Sequence, residues 1–79
     1  MPLDNERLMH CFAVTFPSAT NSEITNERIE DLPGWDSLRG VTLLAVIDEQ
    51  FGFQMDLDQL ISAGTYKGVH DHLEQHGAH

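Results

Sequence analysis

Apolar residues fall into groups separated by polar or turn-forming stretches. In the first, Leu8, Cys11 and Phe12 stand at i, i+3 and i+4, and Phe16 extends the same face. That spacing is helical. Asp4 ahead of the group and Glu6 after it suit a helix start. Pro17 ends it, because the residue before a proline avoids helical backbone. A first helix is predicted over about residues 5–15.

From Pro17 to Trp35 no period survives. Ser18, Thr20, Asn21, Ser22, Asn26, Pro33 and Gly34 favour turns. Ile24, Ile29 and Leu32 stand alone among them and are expected to pin a long loop to the core. A short helical turn is expected near Asn26 to Glu30. Loops of this length inside a small domain are often functional.

The next helix starts at Asp36 or Ser37. Leu38, Val41, Leu43, Leu44, Val46, Ile47 and Phe51 are apolar nearly all round, which predicts the most buried helix of the chain. Gly52 closes it. Leu57, Leu60 and Ile61 suit a short helix ended by Gly64. Thr65 caps a last helix with Tyr66, Val69 and Leu73 on one face. The tail from about His76 to His79 is expected to fray. The expected fold is all-α: a small antiparallel four-helix bundle, three longer helices and one short, with a long first loop. Residues 1–79 form a single domain.

Composition narrows the function. A chain of 79 residues has room for one thin core and little for a deep catalytic cleft. Thirteen acids against four bases give a net charge of -9. Such a surface disfavours nucleic acid and favours basic protein partners. The longest apolar run, Val41 to Ile47, is far short of a membrane span. The start, Met1-Pro2-Leu3-Asp4-Asn5-Glu6, carries no secretory pattern, so a cytoplasmic monomer is expected. Cys11 is the single cysteine and reads as a small apolar residue on a helix.

Chemistry concentrates at Gly34-Trp35-Asp36-Ser37-Leu38. A serine at a helix start is commonly a cap. It also stands in the positive field of the helix N-terminus, where a phosphodiester would be favoured. No histidine in the preceding loop and no Gly-x-Ser-x-Gly elbow would activate Ser37, so it reads as a substrate for modification. No catalytic residue is assigned. His72 and His76 are spaced as a metal-ligand pair, with His70 nearby, but no third ligand completes a site. Asp56 and Asp58 resemble the start of a calcium loop, yet Ile61 stands where glycine is needed. No metal is expected.

Asp36-Ser37-Leu38, followed by Val41, Leu43, Leu44, Ile47, Asp48-Glu49 and Phe51-Gly52, resembles the second helix of acyl carrier proteins. Ile24-Thr25 and Glu30-Asp31-Leu32 resemble anchors of that family's first loop, and Thr65, Tyr66, Val69 and Leu73 its last helix. The likeness runs from Leu8 to Leu73. It implies 4'-phosphopantetheine, taken from coenzyme A and attached to Ser37 by a phosphopantetheinyl transferase, carrying acyl groups as thioesters. It implies partner recognition by Asp36, Asp48 and Glu49, which would meet basic docking surfaces on acyl-loading ligases or synthases and on acyltransferases. Val41, Leu44 and Ala45 would line or flank a groove for a short acyl chain. Arg39 and Thr42 stand where fatty-acid carriers often have acids. Pro33-Gly34-Trp35 is one residue longer than their usual link, and Gly40 lies inside the helix. These departures favour a dedicated carrier for a polyketide-like, lipid-modification or aminoacyl pathway. The alternatives are a peptidyl or aminoacyl carrier, and an unmodified helical interaction module.

Overall fold

The computed structural model describes residues 4–76. Of the tail expected to fray from about His76, residues 77–79 lie outside the described residues, as do residues 1–3 of the start, while His76 is the C-cap of the last helix, its ring against Phe53.

Five α-helices and one 3-10 turn make up the fold: α1 Asn5–Thr15, α2 Asn21–Asn26, a 3-10 turn at Ile29–Asp31, α3 Ser37–Phe51, α4 Leu57–Ala63 and α5 Tyr66–Gln75. The described residues are all-helical, save for an isolated antiparallel bridge between Arg28 and Thr65.

Each helix starts on a side-chain cap, which satisfies a backbone N–H that no helical carbonyl can reach. Asp4, Thr20, Asp36, Asp56 and Thr65 accept from Arg7, Glu23, Arg39, Gln59 and Gly68 in turn. At Thr20/Glu23 and Asp56/Gln59 the bond is reciprocated, forming capping boxes. Gly52 ends α3 in the left-handed region at φ 66°, which costs glycine little.

The structure adds α2 to the helices read from the sequence. It occupies Asn21–Asn26, inside the segment expected to be loop, and the helical turn expected near Asn26 to Glu30 is a 3-10 turn at Ile29–Asp31, which overlaps its second half. A single apolar residue, Ile24, anchors α2, too little for a period to show. The anchoring role expected for Ile24, Ile29 and Leu32 is as observed: all three are buried.

The core joins Leu8, Cys11, Phe12 and Phe16 of the first segment to Leu43 and Ile47 of α3, Leu60 of α4, and Val69 and Leu73 of α5. At full burial each such side chain contributes about 1.5–3 kcal/mol. Phe12 meets Tyr66 edge to face at 5.2 Å. Helices α1 and α3 run antiparallel and exchange arginines. Arg7, at the start of α1, donates to the Gln50 carbonyl at the end of α3 (3.4 Å). Arg39, at the start of α3, donates to the Thr15 carbonyl at the end of α1 (2.6 Å). Each guanidinium therefore meets the negative end of the other helix.

The burial of α3 differs from expectation. It buries Gly40, Leu43 and Ile47 only, while Leu38 is 74% and Val41 52% exposed. The helix packs on one face, against α1 and α4. Its opposite face carries Leu38 and Val41, which the other described residues leave largely exposed.

Candidate functional site

Ser37 is the first residue of α3 and is exposed. The cap of this helix is Asp36, not the serine: its carboxylate accepts the Arg39 N–H at 2.6 Å. The Gly40 N–H closes the first turn on the Asp36 carbonyl at 3.0 Å. The hydroxyl of Ser37 thus stands at the positive end of the longest helix, outside the capping bond. The chain reaches this point through Gly34, at φ 86°, and Trp35, whose N–H bonds the Leu32 carbonyl at 3.0 Å.

Steps of four, seven and eleven residues keep Val41, Leu44 and Asp48 on the Ser37 face of α3. Val41, Leu44, Ala45 and Asp48 line a groove of about 340 Å³ with Gln54 and Met55 from the link to α4. Along the helix, Ser37 and Asp48 are separated by roughly 16 Å. The structure therefore brings together the serine, the apolar residues read as groove-lining and one of the three acids read as recognition residues.

The other two acids are placed differently. Asp36 is exposed, and its carboxylate serves the helix as a cap. Glu49 is exposed too, but on the α1 side of α3, near enough to help raise the pKa of Cys11. Burial is the larger cause of that shift, with the Cys11 backbone and Arg7 opposing it. Cys11 itself is fully buried, as read from the sequence. The acidic pair Asp48-Glu49 is thus split between two faces.

Arg39 was read from the sequence as a missing acid. Its position gives it a structural task, the cap on α1, which only the fold could reveal. Thr42 likewise turns its hydroxyl back to the Leu38 carbonyl at 3.0 Å.

The remaining chemistry-bearing side chains lie elsewhere. Asp56 caps α4. A hollow of about 440 Å³ between α4 and α5 is lined by Asp56, Asp58, Asp71 and His72, among others. The rings of His72 and His76 stand 4.4 Å apart and both pack on Phe53. His70 faces Asp71 at 3.3 Å and Glu74 at 3.7 Å. Among the described residues no three His, Cys, Asp or Glu side chains gather as a metal site, and no helix is long and apolar enough to cross a membrane.

A scan against protein families, a search of curated proteins and a search of solved structures each return no match.

Proposed function

We propose that the protein is a carrier, modified on Ser37 with 4'-phosphopantetheine, that presents acyl groups to partner enzymes without catalysing a reaction of its own. The carrying observation is the position of Ser37: exposed, first in the longest helix, released from capping by Asp36, and in line with an apolar groove.

The residues present fit the group. The Ser37 oxygen would form the new bond to phosphorus, the pyrophosphate bond of coenzyme A would break, and the adenosine bisphosphate would leave. The resulting phosphodiester would lie beside the first-turn N–H groups of α3, which favour an anion. When attached, the group supplies a terminal thiol that holds an acyl group as a thioester at the end of a flexible arm. Val41, Leu44 and Ala45 offer that arm an apolar bed, and Asp48 and Gln54 give it polar edges.

Leu38 and Val41 stand exposed close to Ser37 and suit contact with a partner. Asp36, Asp48 and Glu49 would meet basic residues on a transferase, a loading ligase or synthase, or an acyltransferase. The finer architecture proposed with this function is a small antiparallel four-helix bundle of α1, α3, α4 and α5, with α2 an added turn in the long loop. The setting is a cytoplasmic monomer of a dedicated pathway.

The test is a mass measurement. Incubation with coenzyme A and a promiscuous phosphopantetheinyl transferase should add one phosphopantetheine, and Ser37→Ala should abolish the gain. An unchanged mass, with a control carrier modified in the same tube, would refute the proposal.

A further inference from the structure

The indole of Trp35 occupies the space behind the first turn of α3. Its Cη2 lies 2.8 Å from where a Cβ on Gly40 would stand, and the Leu57 Cδ1 lies 2.9 Å from that point. Its ring stacks on Phe16 at 6.3 Å and 23°. The end of α1, the start of α3 and the start of α4 therefore converge on one side chain. Gly40 is buried, and any larger residue there would push the indole or Leu57 away.

This arrangement bears on cargo. An apolar chain tethered at Ser37 gains by leaving water, and it would enter the interior wherever space opened near its anchor. Close packing leaves no such space unless side chains move. Behind Ser37 the space holds Trp35, Leu57 and Phe16, and Phe16 is fully buried. On the Ser37 face, the groove is backed by Met55, itself a core residue at 7% exposure. Its edges are polar, through Asp48 and Gln54.

We infer that Trp35, seated on Gly40 and Leu57, closes the interior to cargo and so determines specificity: the protein carries short or polar acyl groups held outside, and gives no shelter to long alkyl chains. This inference rests on the carrier reading of Ser37.

The experiment loads the full chain with acetyl, butyryl, octanoyl and dodecanoyl phosphopantetheine from the matching coenzyme A thioesters, with each product weighed. Two quantities are then read: the rate at which hydroxylamine cleaves the thioester, and the melting temperature. A chain sheltered in the interior would gain protection by up to about fourfold for each methylene buried. The wild-type protein is expected to show cleavage rates within about twofold across the series, because its cargo remains in water, and a melting temperature independent of chain length. Trp35→Ala opens the space and should make both quantities climb from butyryl to dodecanoyl. Leu57→Ala enlarges the same space from α4 and serves if Trp35→Ala does not fold. Wild-type protection that grows with chain length overturns the inference and leaves the carrier reading standing. Folded variants that stay as flat as the wild type overturn the role of Trp35. A chain that gains no mass with any thioester refutes the carrier reading itself, and this inference falls with it.

Discussion

Two helical glycines carry the same substitution to different ends. Gly68 lies in the first turn of α5, and its N–H donates to the Thr65 hydroxyl at 3.1 Å. A Cβ there would stand 2.8 Å from the Ala63 carbonyl carbon and 3.2 Å from its Cα, with the carbonyl oxygen closer still. Those atoms are backbone and held in place. The Ala63 carbonyl accepts the Thr65 N–H at 2.9 Å, and the adjacent Gly64 carbonyl accepts the Ile29 N–H at 2.8 Å. Making room means moving the α4–α5 junction against these bonds, each worth about 1 kcal/mol. Overpacking adds about 1–3 kcal/mol. The helix-propensity gain of alanine over glycine returns about 1 kcal/mol at most. Gly68→Ala should therefore cost about 2–4 kcal/mol, against a total stability on the order of 4–12 kcal/mol for a chain this size.

Gly40→Ala meets only the far ends of Trp35 and Leu57, at 2.8 and 2.9 Å. Both are side-chain ends that can shift slightly without leaving their seats, and the helix-propensity gain of about 1 kcal/mol offsets most of the strain. Its net effect should stay within about 1 kcal/mol. Far-ultraviolet circular dichroism during urea and thermal unfolding reads both variants. Gly68→Ala should lower the melting temperature by about 8–32 °C, using about 4–8 °C per kcal/mol for a domain of this size. If the two variants unfold together, the close approach of α5 to Ala63 is wrong.

Asp36→Ala should lose about 1 kcal/mol of stability by uncapping α3, while Asp36→Asn keeps the cap and removes the charge; slower modification by the transferase in Asp36→Asn at unchanged stability would assign the carboxylate to recognition, and unchanged kinetics would remove it from that role. Arg39→Ala strips the Thr15 carbonyl of its partner and should cost about 1 kcal/mol in urea unfolding, a figure discounted for solvent exposure, where the same loss at Arg28, paired with Glu30 on the surface, should cost about 0–1 kcal/mol. Cys11, fully buried, should resist a thiol-reactive disulfide reagent in the native state and react fully in denaturant; fast native labelling would contradict its burial. Burial pushes the Cys11 thiol and the Tyr66 phenol above their ordinary values of 9.0 and 10.0, so the folded state keeps protons that the unfolded chain releases. The contribution of these two groups to stability should be level below the ordinary pKa of the thiol and fall as pH rises beyond it, first through Cys11 and then through Tyr66; a Cys11→Ala variant should lose the earlier part of that fall.

The sequence made the long helices legible because each combines a period with a stop. Pro17 and Gly52 end α1 and α3 where the structure ends them, and Thr65 begins α5 as a cap. Helix α2 was hidden for want of apolar residues, although Thr20 and Glu23 already held the pattern of its capping box. For α3, the apolar count suggested burial but could not tell packing from exposure. Leu43 and Ile47 are fully buried and Leu38 and Val41 are open, since only the positions of α1 and α4 decide which face is covered. At the site, Ser37 and its groove residues were readable because they share one helix. The reciprocal arginine caps and the seat of Trp35 join residues far apart in sequence, and no local pattern encodes them.

Those long-range contacts also explain how the charge is distributed. The chain has four basic residues, and Arg7 and Arg39 are turned to the carbonyl ends of α3 and α1. Arg28 faces Glu30, which leaves Lys67 as the remaining base. Half of the positive charge thus serves the contact between α1 and α3, where it offsets helix dipoles. The acids do the reverse: Asp4, Asp36 and Asp56 cap helix starts with carboxylates that remain exposed. Arg7 and Arg39 both remain exposed, and Arg7 also lies 4.0 Å from the Asp4 carboxylate. Around Ser37 the exposed Asp36 borders two exposed apolar residues, Leu38 and Val41. In the proposed carrier, charge acting over the Debye length and apolar contact acting only on touching would together suit brief encounters with basic partners. At Arg39 the fold sets the residue: an acid there would leave the Thr15 carbonyl at the end of α1 without its donor, whatever it added to a surface proposed to meet basic partners.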